Sequence, residues 1–226
     1  MPALYHFWSD APSQRVRLAL GCKGIDYRDV PLAYDDDETF FELGIARQVP
    51  VLQLDNGELL HDSTDILRRI DGLFPGEPPL AEARIDTAAW EALLDWRKRV
   101  DAVLERLYAP VRPAFRNIGA DEVTLAAYKA EVQRRLGMTV EELANDRYAG
   151  YAQLDSLTNL KKLGRHLAER GFYMGEISIA DMVLTADLFP LQALDGIALP
   201  IDLMYYLDRV ERSCGVSLRE GYLTDI

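Results

Sequence analysis

Cysteine is scarce in this chain of 226 residues, which has two, Cys22 and Cys214. With no pairing pattern between them, nothing points to a disulfide framework. Histidine is almost as scarce. His6, His61 and His166 stand at no metal-ligand spacing from cysteine or carboxylate, so no metal site is expected. No apolar run approaches the roughly 20 residues of a membrane span, and the opening Met-Pro-Ala-Leu-Tyr-His does not read as a signal peptide. Basic residues are outnumbered, 25 Lys and Arg against 37 Asp and Glu, for a net charge of −12. That balance argues against nucleic acid and anionic membranes as partners. A soluble protein of a reducing, cytoplasmic compartment is the expectation.

What is present is a sizeable core fraction, 49% apolar residues, enough for one large domain or two small ones. The first third alternates strands and helices. Ala3–Trp8 reads as a strand dense in aromatics. Ser13–Lys23 reads as a helix burying Val16, Ala19 and Leu20 and ending at Gly24. Asp26–Val30 reads as a second strand that Pro31 stops, and Glu38–Leu43 can make only a short helix. Beyond Pro75-Gly-Glu-Pro-Pro79, which cannot be helical, the pattern is helical throughout. Trp90, Leu93, Leu94, Val100, Leu104 and Leu107 recur at helical spacing until Pro110 and Pro113. A further helix opens near Asp121 and closes at Gly137. Thr139-Val-Glu-Glu142 is a capping-box sequence that opens another, read as running toward Gly171. Ser178 and Asp181 can cap reciprocally at the start of the next. Asp35-Asp36-Asp37 reads as solvated loop.

The most informative stretch is Arg47-Gln-Val-Pro-Val-Leu52 followed by Asp55 to Ile70. Val51–Leu54 and Glu58–Leu60 are two short apolar runs, and Asp55-Asn56-Gly57 between them tolerates the positive φ of a tight turn, so a hairpin is expected. Ser63 can cap the helix that follows, whose apolar residues Ile66, Leu67 and Ile70 share one face. A helix start offers unpaired N–H groups and partial positive charge to a carboxylate. Val49-Pro50 enters the hairpin at the same end, and an X-Pro bond there can be cis, turning backbone groups outward. The unit is therefore a backbone site for a small extended anion.

Gln48-Val49-Pro50, a hairpin, and an acidic-Ser pair at a helix start resemble the cytosolic glutathione transferase family. The resemblance extends through the linker to Ser178-Ile-Ala-Asp181, the signature of that family's helical domain. It implies a thioredoxin-like α/β domain of order βαβαββα over residues 1–76, a linker over 77–86 and an all-helical domain over 87–226. It also implies glutathione as co-substrate, a small apolar electrophile as acceptor, a role in detoxification and a homodimer. Val49 would pair through its backbone with the cysteinyl part of glutathione, between Gln48 and Pro50. Asp62 and Ser63 would bind the γ-glutamyl end, and Arg47 aligns with a basic residue that helps hold the glycyl carboxylate.

The start of the first helix departs from the pattern. Leu4 to Leu20 is similar to the serine-type classes, zeta and tau nearest, which place a catalytic Ser where this chain has Asp10. A carboxylate beside a sulfur raises the thiol pKa, the wrong direction for activation. Three hydroxyls are candidates for the catalytic donor: Ser9, one residue earlier; Ser13, three later, which could equally be a helix cap; and Tyr5 in the first strand. No Cys lies between Tyr5 and Arg17, so a glutaredoxin-like mixed-disulfide mechanism has no nucleophile there. Zeta-type maleylacetoacetate isomerases carry Ser-Ser-Cys where this chain has Asp10-Ala11-Pro12, which weakens an isomerase reading. Cys22 reads as a small core residue. Trp8, Tyr108 and Phe115 could line an acceptor pocket or pack in the core, and Arg15 could support the first helix.

Overall fold

The computed structural model describes residues 1–81 and 85–224. Its first part runs β1 (Ala3–His6), α1 (Ala11–Cys22), β2 (Arg28–Pro31), α2 (Glu38–Leu43), β3 (Val51–Gln53), β4 (Leu59–Leu60) and α3 (Ser63–Leu73). The sheet order is β2-β1-β3-β4, with β1 parallel to β2 and antiparallel to β3, and β3 antiparallel to β4. This is the expected thioredoxin-like arrangement. Side chains alternate along β1 as strand geometry requires. Leu4 joins Leu52, Val16, Leu20, Ile66 and Ile70 in the core beneath α1 and α3. Ala3 and Tyr5 join Val51, Phe7, Leu32 and Phe40 on the opposite face.

The helical part comprises α4 (Thr87–Tyr108), α5 (Arg116–Gly119), α6 (Glu122–Leu136), α7 (Val140–Asn145), α8 (Arg147–Thr158), α9 (Leu160–Arg170), α10 (Ile179–Leu188) and α11 (Ile201–Cys214). Every residue of α10 is buried, and α1 packs against α3, α10 and α11. Helix α1 is therefore shared by the two cores, and residues Ser13 to Leu20 are buried all round it. Of the linker expected over 77–86, residues 82–84 lie outside the described residues; α3 ends at Leu73 and α4 begins at Thr87. No described helix is long and apolar enough to cross a membrane.

Four local expectations are corrected. Helix α1 starts at Ala11, not Ser13, because Asp10 is its N-cap and Pro12 falls in the first turn, where no N–H is needed. Strand β2 runs through Pro31, opposite His6; it is an edge strand, which tolerates proline. Asp62, not Ser63, caps α3. The long helix expected from Thr139 to Gly171 is three helices, α7 to α9. The second break is at Asn159, whose left-handed φ of 51° ends α8 while its side chain accepts from Lys162 N to start α9. Both expected capping boxes, Thr139 with Glu142 and Ser178 with Asp181, are formed.

Candidate functional site

Strand register gathers the candidate residues at one edge of the sheet. Tyr5 lies opposite Val51 and Leu52 opposite Leu60. The loop leaving β1 (Phe7 to Asp10), the segment entering β3 (Gln48 to Pro50) and the segment leaving β4 toward Asp62 and Ser63 therefore all emerge on the same side. The Val49-Pro50 bond is cis. Asp62 accepts from Asp65 N at 2.8 Å, which fixes the first turn of α3. Ser63 occupies the first helical position, 8% exposed, and its hydroxyl has no hydrogen bond among the described residues. The N–H groups of a first turn have no partner within their helix, so Ser63 offers two donors to an incoming carboxylate. Arg47 sits 4.8 Å over the Tyr34 ring and 5.9 Å over Phe7, with Asp37 3.4 Å from its Nε. That stacking holds its stem along the same loop.

The three candidate hydroxyls are sorted by where their protons go. Ser13 donates to Asp10 Oδ2 at 2.7 Å, and its N–H donates to the same oxygen at 2.8 Å. Its proton is spent on the α1 cap. Tyr5 lies on the sheet face away from α1, accepting from Arg28 at 2.9 Å and donating to Gln53 at 3.4 Å. Ser9 differs. Its N–H donates to Asn117 Oδ1 at 3.1 Å, and its Oγ accepts from Asn117 Nδ2 at 3.0 Å. The backbone donor fixes which way the Asn117 amide faces, so Ser9 Oγ must accept and its own proton stays free to donate.

Asn117 is a residue of the candidate site that sequence reasoning missed. It is 5% exposed on the short helix α5, and its carbonyl also accepts from Tyr34 N at 2.8 Å. It thus ties two loops of the thioredoxin-like domain to the helical domain. Its neighbours Arg116 and Ile118 form no recognisable pattern, so the sequence carries no signal for it.

Asp10 stands beside Ser9 as a carboxylate. Burial pushes its pKa above the ordinary 3.8, against the Ser13 hydrogen bonds and the charges of Arg112 and Arg15. It forms one wall of a cavity of about 260 Å³ between the domains, where Arg15, Arg97 and Arg112 meet Glu105 and Asp187. Asp187, 4% exposed, accepts from Arg15 of α1 and, at 2.6 Å, from Arg97 of α4. Arg112 makes a paired bond to Glu105 at 2.6 and 2.7 Å. On the apolar side, between Trp8, Ser9 and Phe115, only about 10 Å³ is open. Trp8, Tyr108 and Phe115 are core residues here: Arg17 stacks 4.3 Å over Trp8, Phe115 stacks on Tyr222 at 4.1 Å, and the Tyr108 hydroxyl donates to the Asp187 carbonyl.

A thioredoxin-like sheet with a cis-proline before β3 is followed here by an all-helical part. Residues 4–78 match the glutathione S-transferase N-terminal domain family. The maleylacetoacetate isomerase of Pseudomonas aeruginosa is 36% identical over 92 residues, which is 36% of this chain and 43% of that protein. Glutaredoxin 2 of Escherichia coli is 26% identical over 210 residues, 90% of this chain and 91% of that protein. Among solved structures, glutaredoxin 2 of Salmonella typhimurium in complex with glutathione superposes with a TM-score of 0.73 at 23% identity, over 96% of each chain. The match to the glutathione S-transferase family is thus to the thioredoxin-like part of the chain.

Proposed function

We propose that this protein binds glutathione at the edge formed by Val49, Asp62 and Ser63, and transfers it as thiolate to a small electrophile, with Ser9 as the hydrogen-bond donor to sulfur. The observation that carries the reading is the free proton of Ser9, held in place by the two bonds to Asn117 while the protons of Ser13 and Tyr5 are engaged. A glutathione thiol has an ordinary pKa near roughly 8.5, and the thiolate is the nucleophile. A donor at the sulfur lowers that pKa. In the same proposal Arg47 assists the glycyl carboxylate, Gln48 and Pro50 frame the Val49 backbone, and the protein is a cytoplasmic homodimer, which sedimentation would test. The acceptor enters beside Asp10. An apolar acceptor would need the closed Trp8–Phe115 side to open, whereas the open cavity is charged, so rates with matched neutral and acidic electrophiles separate the two routes.

Binding alone tests the first half. Ser63→Ala removes a hydrogen bond to a charged group, worth about 1.5–3 kcal/mol, so calorimetry should show glutathione binding at least roughly tenfold weaker with the fold intact. Unchanged affinity would move the γ-glutamyl end elsewhere.

One observation favours a second reading, a glutathione binder that does not activate the thiol: the carboxyl of Asp10 lies where serine-type relatives place their donor. Asp10→Asn distinguishes the two. Asn can still accept from Ser13 N and keep the cap, while the charge is gone. Because burial raises the Asp10 pKa, its ionised form destabilises the fold. Stability should fall as pH rises from 3.8 through the raised pKa, and Asp10→Asn should flatten that fall. If the transferase reading holds, the same variant lowers the thiol pKa of bound glutathione further. If the wild type never activates the thiol, it changes nothing at neutral pH.

A further inference from the structure

The two cysteines, 192 positions apart in sequence, meet across the domain boundary. Cys22 is the last residue of α1 and Cys214 the last of α11. The two helix ends pack against each other, and both cysteines belong to the core between them. The backbones touch at the same place: a Cβ added to Gly21 would lie 2.5 Å from the Cys214 carbonyl oxygen. The environments of the two sulfurs differ. Cys22 is half-buried, whereas Cys214 is 2% exposed, with its sulfur 3.8 Å from Met182 Sδ. The neighbouring Cys214 thiol lowers the Cys22 thiol pKa against its burial, with a smaller contribution from Lys23. Cys214 is pushed well up by the Cys22 thiol beside it and by burial. A reachable, acidified thiol next to a shielded one is the arrangement of an attacking and a resolving pair.

We propose that Cys22 and Cys214 form a reversible disulfide that joins the two domains, with glutathione disulfide as the oxidant. The Cys22 thiolate attacks one sulfur of glutathione disulfide. A Cys22–glutathione bond forms, the original S–S bond breaks, and one glutathione leaves as thiolate and takes up the proton that Cys22 lost. The Cys214 thiol then gives up its proton and attacks the Cys22 sulfur. The Cys22–Cys214 bond forms and the second glutathione departs with that proton. Two protein thiols are oxidised by two electrons, and one glutathione disulfide is reduced to two glutathiones. This step does not depend on the site at Ser63.

The test is to equilibrate the full-length protein in glutathione redox buffers of increasing disulfide content, denature it in acid, alkylate the free thiols and measure intact mass. The wild type should pass from a doubly alkylated form to an unalkylated form lighter by two hydrogens and carrying no glutathione, and dithiothreitol should reverse the change. The oxidised form should melt at higher temperature than the reduced form, because the bond closes a long loop in the unfolded chain. Cys214→Ala should stop the sequence at one glutathione on Cys22, and Cys22→Ala should leave Cys214 unmodified. The wild-type measurement stands even if a variant does not fold. Both thiols staying alkylatable at every ratio, or the wild type accumulating glutathione on Cys22 without closing to Cys214, overturns the proposal.

Discussion

Asp187→Ala is expected to cost about 3–5 kcal/mol of folding stability, the range for removing one side of a buried ion pair. The carboxylate is 4% exposed and accepts from Arg15, itself 3% exposed, and from Arg97. Removing it strands the Arg15 charge in the domain boundary, where Arg15 Nε already has no partner among the described residues. For a chain of this size the loss corresponds to a fall in melting temperature of roughly 6–20 °C. The double variant Arg15→Met with Asp187→Leu should lose much less, because it removes the charges together. The exposed pair Arg69–Asp65 is the control: breaking it should change stability by about 0.5 kcal/mol or less. A loss under about 1 kcal/mol for Asp187→Ala would mean that water reaches the pair and the two domains are not held through it.

Ser9→Ala is expected to reduce glutathione conjugation on the order of 10²-fold, the scale for removing one donor to a developing anion, with glutathione affinity nearly unchanged. The split follows from the proposed site, in which Ser63 and the Val49 backbone hold the peptide and Ser9 addresses only sulfur. Asn117→Ala should act in the same direction with a smaller effect, because it frees the Ser9 loop without removing the hydroxyl. Ser9→Thr, which keeps a hydroxyl, should retain part of the rate. Steady-state kinetics that show the loss in KM rather than kcat would move Ser9 from chemistry to binding.

The elements that carry the proposed binding half were legible in the sequence because their signals are local. A turn of Asp55-Asn-Gly, a proline entering a strand and a capping residue before an apolar helix each act over a few positions, and the fold places them where those positions imply. The proposed catalytic half depends on distant contacts. Ser9 is sorted from Ser13 by an amide 108 positions away, and Arg15 is held by a carboxylate 172 positions away. Asn117 interrupts no hydrophobic pattern, and Asp187, a carboxylate inside the apolar stretch 182–191, gives no sign along the chain of which residues it meets. The local errors have a shared origin. Pro31 read as a breaker and the first helix read as starting after Pro12, yet an edge strand and the first turn of a helix are the places where a missing N–H costs no hydrogen bond. Asp62 and Ser63 can both cap a helix, and the extended backbone at Asp62 (φ −97°, ψ 114°) decides between them. Asn159 looks like an ordinary polar residue until its left-handed φ divides a long helix.

The central claim is that Ser9 stabilises the thiolate of bound glutathione, and a spectroscopic titration of that thiol tests it most directly. Saturating glutathione is added to the wild type and to Ser9→Ala, and thiolate absorbance is followed against pH. The wild type should titrate below the free thiol, near neutral pH, and Ser9→Ala should return toward the free value; each tenfold shift in the ionisation equilibrium corresponds to about 1.4 kcal/mol of thiolate stabilisation. Bound glutathione that titrates like the free thiol in the wild type would contradict the account and leave a protein that binds glutathione without activating it.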